Sequence, residues 1–304
     1  MYQFERVLVC LDFSSIDESI LTFSQRLHDL IPLQKIYVTH IASSLDLPKD
    51  ISEKYPALLA PVDESISREI SFSLKKYLQV NDDIEIIVKE GSPAAEIINI
   101  ARQKNVDLII MGRKNDEEAS INILKKVTRL AHCSVIMVPE PLPEKRGPLV
   151  VPIDFSDASK MAVEQAFTIS SKNRKDNQVC LVNFYSVPSG YHKTGKTFEE
   201  FAEIMKLNAQ KEWEIFSKNL LPPDANYSID FQPSKHSVAA DLNDFVEANN
   251  AGLIVIGSKG RTYISSLIIG STAEKFIELQ DKRPFLVVKN KKENMGFHEA
   301  MMNV

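Results

Sequence analysis

A chain of 304 residues is too long for one ordinary small domain and suits two of about 150, each able to bury a core of its own. With 44% hydrophobic and 25% charged residues the composition is that of a globular protein, and a net charge of -5 with no basic stripe argues against general affinity for nucleic acid or an anionic membrane. No apolar run approaches a membrane span, and the opening MYQFERVLVCLD enters a strand without a signal peptide, so the expectation is a cytoplasmic protein with no membrane insertion.

Taken in order, the chain repeats itself. Val7-Leu8-Val9-Cys10-Leu11-Asp12-Phe13-Ser14 returns as Leu149-Val150-Val151-Pro152-Ile153-Asp154-Phe155-Ser156, and an Asp-Phe-Ser closes both strands. Ile16, Ile20, Phe23 and Leu27 follow the first copy at helical spacing, as Ala162, Val163, Ala166, Phe167 and Ile169 follow the second. Second strands are predicted at 36–41 and 179–185, and third strands at 84–88 and 227–231. Long amphipathic stretches lie between them, at 57–80 and 197–220; in the latter Phe198, Phe201, Ile204, Met205, Leu207 and Trp213 are candidates for the buried face. Gly91-Ser92-Pro93-Ala94-Ala95 and His236-Ser237-Val238-Ala239-Ala240 open matching helices. Strands 106–111 and 253–256 then lead to Gly112 and Gly257, and each half closes on an apolar strand, Val135–Val138 or Phe285–Val288.

Strands alternating with helices imply right-handed crossovers and an α/β architecture: two tandem open parallel five-stranded sheets with helices on both faces. The expected division is 1–140, a proline-rich linker at 141–147, 148–290, and a polar tail at 291–304 that frays. Pro152 is awkward in a strand because it donates no ladder hydrogen bond, but it falls near the strand's carboxyl end. Cys10, Cys133 and Cys180 are odd in number and sit in or beside apolar strands, which suits buried small hydrophobes better than a disulfide or metal set. The closing strands would be exposed apolar edges in isolated modules, so pairing with each other in an intramolecular pseudo-dimer, or across a homodimer, is expected.

The stretch from Gly257 to Thr272, GSKGRTYISSLIIGST, carries the functional signal. It joins a buried strand to a helix start, with Ser271 and Glu274 at capping-box spacing. Gly257 and Gly260 allow sharp turning and close ligand approach, Gly270 precedes helix amides that attract anions, and Ser258, Lys259 and Arg261 add polar and positive groups. Two residues separate the first pair of glycines and nine the second, which is neither a Walker loop nor GxGxxG.

That spacing followed by Ser-Thr resembles the ATP-binding signature of the universal stress protein (UspA-like) family, and the repeat makes nearly the whole chain look like its two-domain bacterial form. The resemblance implies a Rossmann-like, adenine-nucleotide-binding α/β fold with strand order 3-2-1-4-5, whose crevice at the carboxyl ends of strands 1 and 4 takes the ligand. It implies ATP as cofactor, with a divalent cation such as Mg²⁺ held mainly through the phosphates. The residues themselves show no strong catalytic constellation, so a slow ATPase or phosphotransferase, or a scaffold for a non-nucleotide metabolite or lipid, stand as the alternative readings. Asp154 and the Phe155-Ser156 backbone would meet base and ribose, with Phe184 and Val238 lining the adenine pocket. Gly257, Gly260, Gly270, Ser271 and Thr272 would hold the phosphates. Asp154 and Ser271 are open to a second role as helix caps.

The first half departs from the signature. After Gly112, Asn115 replaces the second glycine and Asp116, Glu117 and Glu118 enter the loop; aligned on the closing strands, Ser120 stands where Gly270 does. Three carboxylates beside a triphosphate would oppose it by several kcal/mol if partly screened. The first half is therefore expected not to bind ATP in this way.

Overall fold

The computed structural model describes residues 3–31, 33–45, 62–79, 83–114, 118–144, 147–170, 178–260, 269–279 and 282–294. The chain divides into two compact units after Leu142. In the first, β1 (Arg6–Leu11), α1 (Ile16–Leu30), β2 (Lys35–Ala42), α2 (Val62–Tyr77) and β3 (Asp83–Glu90) are followed by α3 (Pro93–Gln103), β4 (Leu108–Arg113), α4 (Glu118–Leu130) and β5 (Ser134–Pro139). All pairings are parallel, in the order β3-β2-β1-β4-β5. The second unit runs β6 (Leu149–Pro152), α5 (Asp157–Ser170), β7 (Val179–Tyr185), a single 3₁₀ turn (Tyr191–Thr194), α6 (Phe198–Phe216) and β8 (Tyr227–Pro233). It continues through α7 (Val238–Ala248), β9 (Leu253–Gly257), α8 (Ser271–Leu279) and β10 (Phe285–Val288). Its strands pair in the equivalent order, β8-β7-β6-β9-β10, again all parallel.

Burial explains why these segments are strands. Every residue of β5, β6, β9 and β10 is buried, as a parallel strand covered on both faces requires. In the first unit α1 packs on α2 and α3 on α4, which closes the two faces of the sheet. Pro152 is accommodated because β6 pairs with β9 only through Leu149 and Val150, whereas β1 pairs with β4 through Val7, Leu8 and Val9. Ladder bonding to β7 resumes past the proline, from Ile153 N to the Val182 carbonyl at 2.8 Å. Cys10, Cys133 and Cys180 are all free thiols, the last two buried.

Three expectations need correction. Helix α6 turns Ala202, Ala209 and Trp213 inward, with Met205 packed beside them, and leaves Phe198, Ile204 and Leu207 exposed. Those inward residues follow one helical face, so the larger apolar residues between them fall off it. The expected stiff linker is docked at both ends: Leu142 N donates to Ser19 Oγ of α1, and Gly147 lies so close to Asn250 and Gly252 that a Cβ there would meet Asn250 O at 2.0 Å. The start of the expected fraying tail is built in as well, since 291–294 are helical and Lys289 and Asn294 are buried. Phe297, Met301 and Met302 lie outside the described residues.

The glycine that ends the fourth strand of each unit is a packing residue. A Cβ on Gly257 would come within 2.6 Å of the Ala158 backbone, and one on Gly112 within 2.7 Å of the tip of Ile16. Gly257→Ala should therefore cost about 1–3 kcal/mol by overpacking, and Gly112→Ala less, because a side chain can rotate away and backbone cannot. Gly190→Ala, where nothing lies within 4 Å, should change stability by less than about 0.5 kcal/mol. Urea unfolding of the three variants checks the ranking.

Candidate functional site

Two turns meet at the carboxyl ends of the sheet in each unit. The first leaves strand β1 or β6 through Asp-Phe-Ser, and its phenylalanine is forced into the left-handed region, with φ 62° at Phe13 and 64° at Phe155. A non-glycine residue there costs roughly 1–2 kcal/mol, so other bonds must hold it. Asp154 Oδ1 accepts hydrogen bonds from the amide and hydroxyl of Ser156, and Asp12 Oδ1 does the same with Ser14. A side chain on the neighbouring strand reaches the carbonyl before each aspartate: Asn183 Nδ2 donates to Ile153 O at 2.8 Å, and His40 Nδ1 lies 3.1 Å from Leu11 O. Several bonds at roughly 1 kcal/mol each outweigh the strain.

In the second unit the other turn leaves β9 through Gly257 and returns into α8. Ser258 N donates to Val288 O, and Gly270 N donates to Ser258 O at 2.7 Å, so the two ends of the loop are tied together. The Gly270 carbonyl accepts the first helical bond from Glu274 N, which makes Gly270 the cap and Ser271 the first helical residue. The anticipated Ser271–Glu274 capping box is thus not formed. Ser271 is instead exposed at the helix mouth, beside amides that an α-helix leaves without intrahelical partners.

These elements enclose a cavity of about 270 Å³. Phe184, Val238 and Ile256 line one end of it, and Lys259, Gly260, Gly270, Ser271 and Thr272 the other, with Asp154 and Gly257 also in its wall. Gly260 lies against the aspartate, where a Cβ would stand 3.2 Å from Asp154 Oδ2. Sequence reasoning missed Pro152, Ile153, Ser159, Ile256 and Ala273 as lining residues; Ser159 follows the Asp-Phe-Ser turn by one helical step, and that proximity was its only signal. Phe155, Ser156 and Ser258 border an adjoining cavity with Lys160 and Asn290, which shares Lys259 and Gly260 with the first. The Phe155 ring packs on Phe216, 5.6 Å between centroids, and the Ser156 amide is taken by Asp154, so neither is presented to the first cavity. Arg261 lies outside the described residues.

The first unit's equivalent cavity, about 210 Å³, is built differently. Lys114 Nζ pairs with Asp12 Oδ2 at 2.8 Å across its mouth. Burial pushes the Asp12 carboxyl up, but Lys114 and Ser14 outweigh it and hold the group below its ordinary value. Asp17 accepts from the amides of Asp12 and Phe13. Burial, aided by the Asp12 charge, nevertheless raises it to about 6. Buried faces align α4 with α8: Leu124, Val127 and Thr128 match Ala273, Phe276 and Ile277. Counted along these helices Ile121 stands where Gly270 does; counted from the closing strands, whose register pairs Gly112 with Val138 and Gly257 with Val288, Ser120 does, and Ser120 lines the cavity. Because α4 starts at Glu118, the amides matching Ser271 to Ala273 lie beyond its first turn and are consumed by intrahelical bonds. Of the loop residues singled out above, Asn115, Asp116 and Glu117 lie outside the described residues, and Glu118 is exposed.

The universal stress protein family matches residues 3–139 and 145–289, so the chain belongs to that family, twice over. Universal stress protein E of Photorhabdus laumondii is 26% identical over 254 residues, which covers 75% of this chain and 79% of that protein. A solved protein of unknown function from Pseudomonas aeruginosa has a TM-score of 0.67 at 14% identity, covering 99% of this chain and 98% of its own. A universal stress protein structure from Archaeoglobus fulgidus has a TM-score of 0.63 at 17% identity, covering 95% and 97%. At such identity the solved structures speak to the fold alone. Among the described residues no helix is long and apolar enough to cross a membrane.

Because the folded state of the first unit raises Asp17 above an unfolded value near 3.9, it binds the extra proton between about pH 4 and 6. The stability that this group contributes is complete below about pH 4, falls as pH rises through 6 and is flat beyond. With solvent screening the loss should be about 1 kcal/mol. Thermal melts of Asp17→Asn against wild type should show that decline missing from the variant.

Proposed function

We propose that the second unit binds an adenine nucleotide, ATP by the resemblance of its glycine loop, and that occupancy serves stress-response regulation through a change of conformation or partner rather than through rapid chemistry. The observation that supports this reading is the convergence on one cavity of an apolar end, at Phe184 and Val238, and an amide-rich end, at Gly260 and Gly270 to Thr272. An aromatic and an aliphatic side chain suit the faces of a purine. Asp154, between the two ends, suits a ribose hydroxyl through its second carboxylate oxygen. The start of α8 offers unpaired N–H groups and a positive dipole end to phosphate, with Lys259 at the rim and the Ser271 and Thr272 hydroxyls as further donors.

Among the described residues no cluster of three metal-binding side chains occurs, so a Mg²⁺ ion accompanying the nucleotide would take its ligands from phosphate oxygens. The first unit takes no part in this binding, because Ile123 and Leu124 line its cavity at the end where Thr272 and Ala273 line the second unit's, and its lysine is engaged by Asp12.

Calorimetric titration of the full chain with ATP should give one site per chain. Gly260→Asp, which sets a second carboxylate beside Asp154, should weaken it at least tenfold, and Lys114→Ala in the first unit should leave it unchanged. Loss of binding in Lys114→Ala with retention in Gly260→Asp would overturn the assignment, as would two equal sites.

A further inference from the structure

The first unit's cavity keeps one half of the second unit's design and replaces the other. Strand register makes Ile41 the counterpart of Phe184 and Met111 of Ile256, and the matching helix starts make Pro93 the counterpart of Val238, so the apolar end is retained. At the opposite end the buried faces of α4 and α8 put Ile123 for Thr272 and Leu124 for Ala273. From α1, Ile16 and Ile20 line the cavity where α5 offers Ala158 and Ala162. The α1 and α4 exchanges add aliphatic surface, and the amides matching Ser271 to Ala273 are spent inside α4, whose first-turn residues Ala119 and Ser120 also line the cavity.

Among the described residues the polar side chains that remain in the wall, those of Asp12, Lys114, Thr39, Ser120 and Cys10, bring no uncompensated charge. Lys114 and Asp12 neutralise each other across the mouth, and the Thr39 hydroxyl already donates to Ile87 O. Cys10 stands where the second unit has Pro152, and burial keeps its thiol protonated. We infer that the first unit is a separate binding site for a small, neutral, apolar molecule, aromatic or branched aliphatic. The volume sets the scale: an apolar cavity of about 150 Å³ accepts benzene, and this one, at about 210 Å³, has room for a ring system the size of indole.

Indole is a suitable probe, titrated into the full chain and followed by the isoleucine methyl resonances. Saturable shifts should be confined to methyls of the first unit's cavity, Ile97 and Ile123 among them, and should persist in the presence of saturating ATP. Ile123→Trp should fill the space and weaken indole at least tenfold; because Ile123 is half-buried, the exchange should leave the fold intact, which unchanged ATP binding by the second unit verifies. Ile123→Glu, which puts a carboxylate in the wall, should weaken indole equally. Absence of saturable shifts, displacement of indole by ATP, or undiminished affinity in both variants would overturn the proposal. So would tighter binding of indole-3-carboxylate than of indole, since it would make Lys114 an anion anchor.

Discussion

A helix offers free amides only where it begins. In both units the fourth strand and the following helix face the same crevice, but α8 starts at Ser271, beside the cavity, and α4 starts at Glu118, so that its first turn is over before it reaches the equivalent point. Each of the first four N–H groups is a donor that the fold cannot satisfy from within. The two units differ in whether those donors stand at the level of Ser271 to Ala273 or about one turn earlier. The change of side chains between the units follows the same division: hydroxyls and glycine accompany open amides, and isoleucine and leucine accompany closed ones.

This constraint explains how far the sequence could be read. Strand positions and the duplicated order were legible because a parallel strand covered on both faces must be an unbroken apolar run, and each run recurs. The Asp-Phe-Ser repeat was visible as a pattern, but its geometry was not. Phenylalanine is a poor candidate for positive φ, and only the surrounding bonds from Ser156, Asn183 and their counterparts make the conformation tenable. The start of α4 was illegible for a related reason: Glu118 reads equally well as loop acid and as first-turn helix acid, and no glycine or proline breaks the tie. Helix α6 shows the limit of amphipathic reading, since its inward face is set by small residues, Ala202 and Ala209, that let it sit close to the sheet, while larger apolar residues point outward.

The two sides of the Asp-Phe-Ser turn serve different ends. One aspartate oxygen is committed to closing the turn in each unit, through the serine that follows. The remaining oxygen is what distinguishes the units: in the first it binds Lys114, in the second it faces Gly260. A residue can thus keep its structural bond through divergence while its other oxygen changes surroundings, and the turn's strain ensures that the structural bond is not the one surrendered. Asp17 belongs to the same arrangement, since its amide contacts support the Phe13 turn at the cost of a carboxylate drawn out of water.

The glycines of the loop divide in the same way. Gly112 persists in the unit whose helix covers the anion end, which would be puzzling if the first glycine served the ligand. Its place against Ile16, and that of Gly257 against Ala158, supplies the reason: the strand and the following helix approach so closely there that no Cβ fits, whatever the cavity holds. Among the described residues Gly260 and Gly270 carry no such burden, for a Cβ on Gly270 would meet ordinary contacts beginning at 3.6 Å, and one on Gly260 would meet the aspartate oxygen at 3.2 Å. Their small size has value chiefly for what approaches from the crevice. The first glycine is therefore required by the packing of the fold, whereas the second and third are not, which is why a unit can keep the first alone.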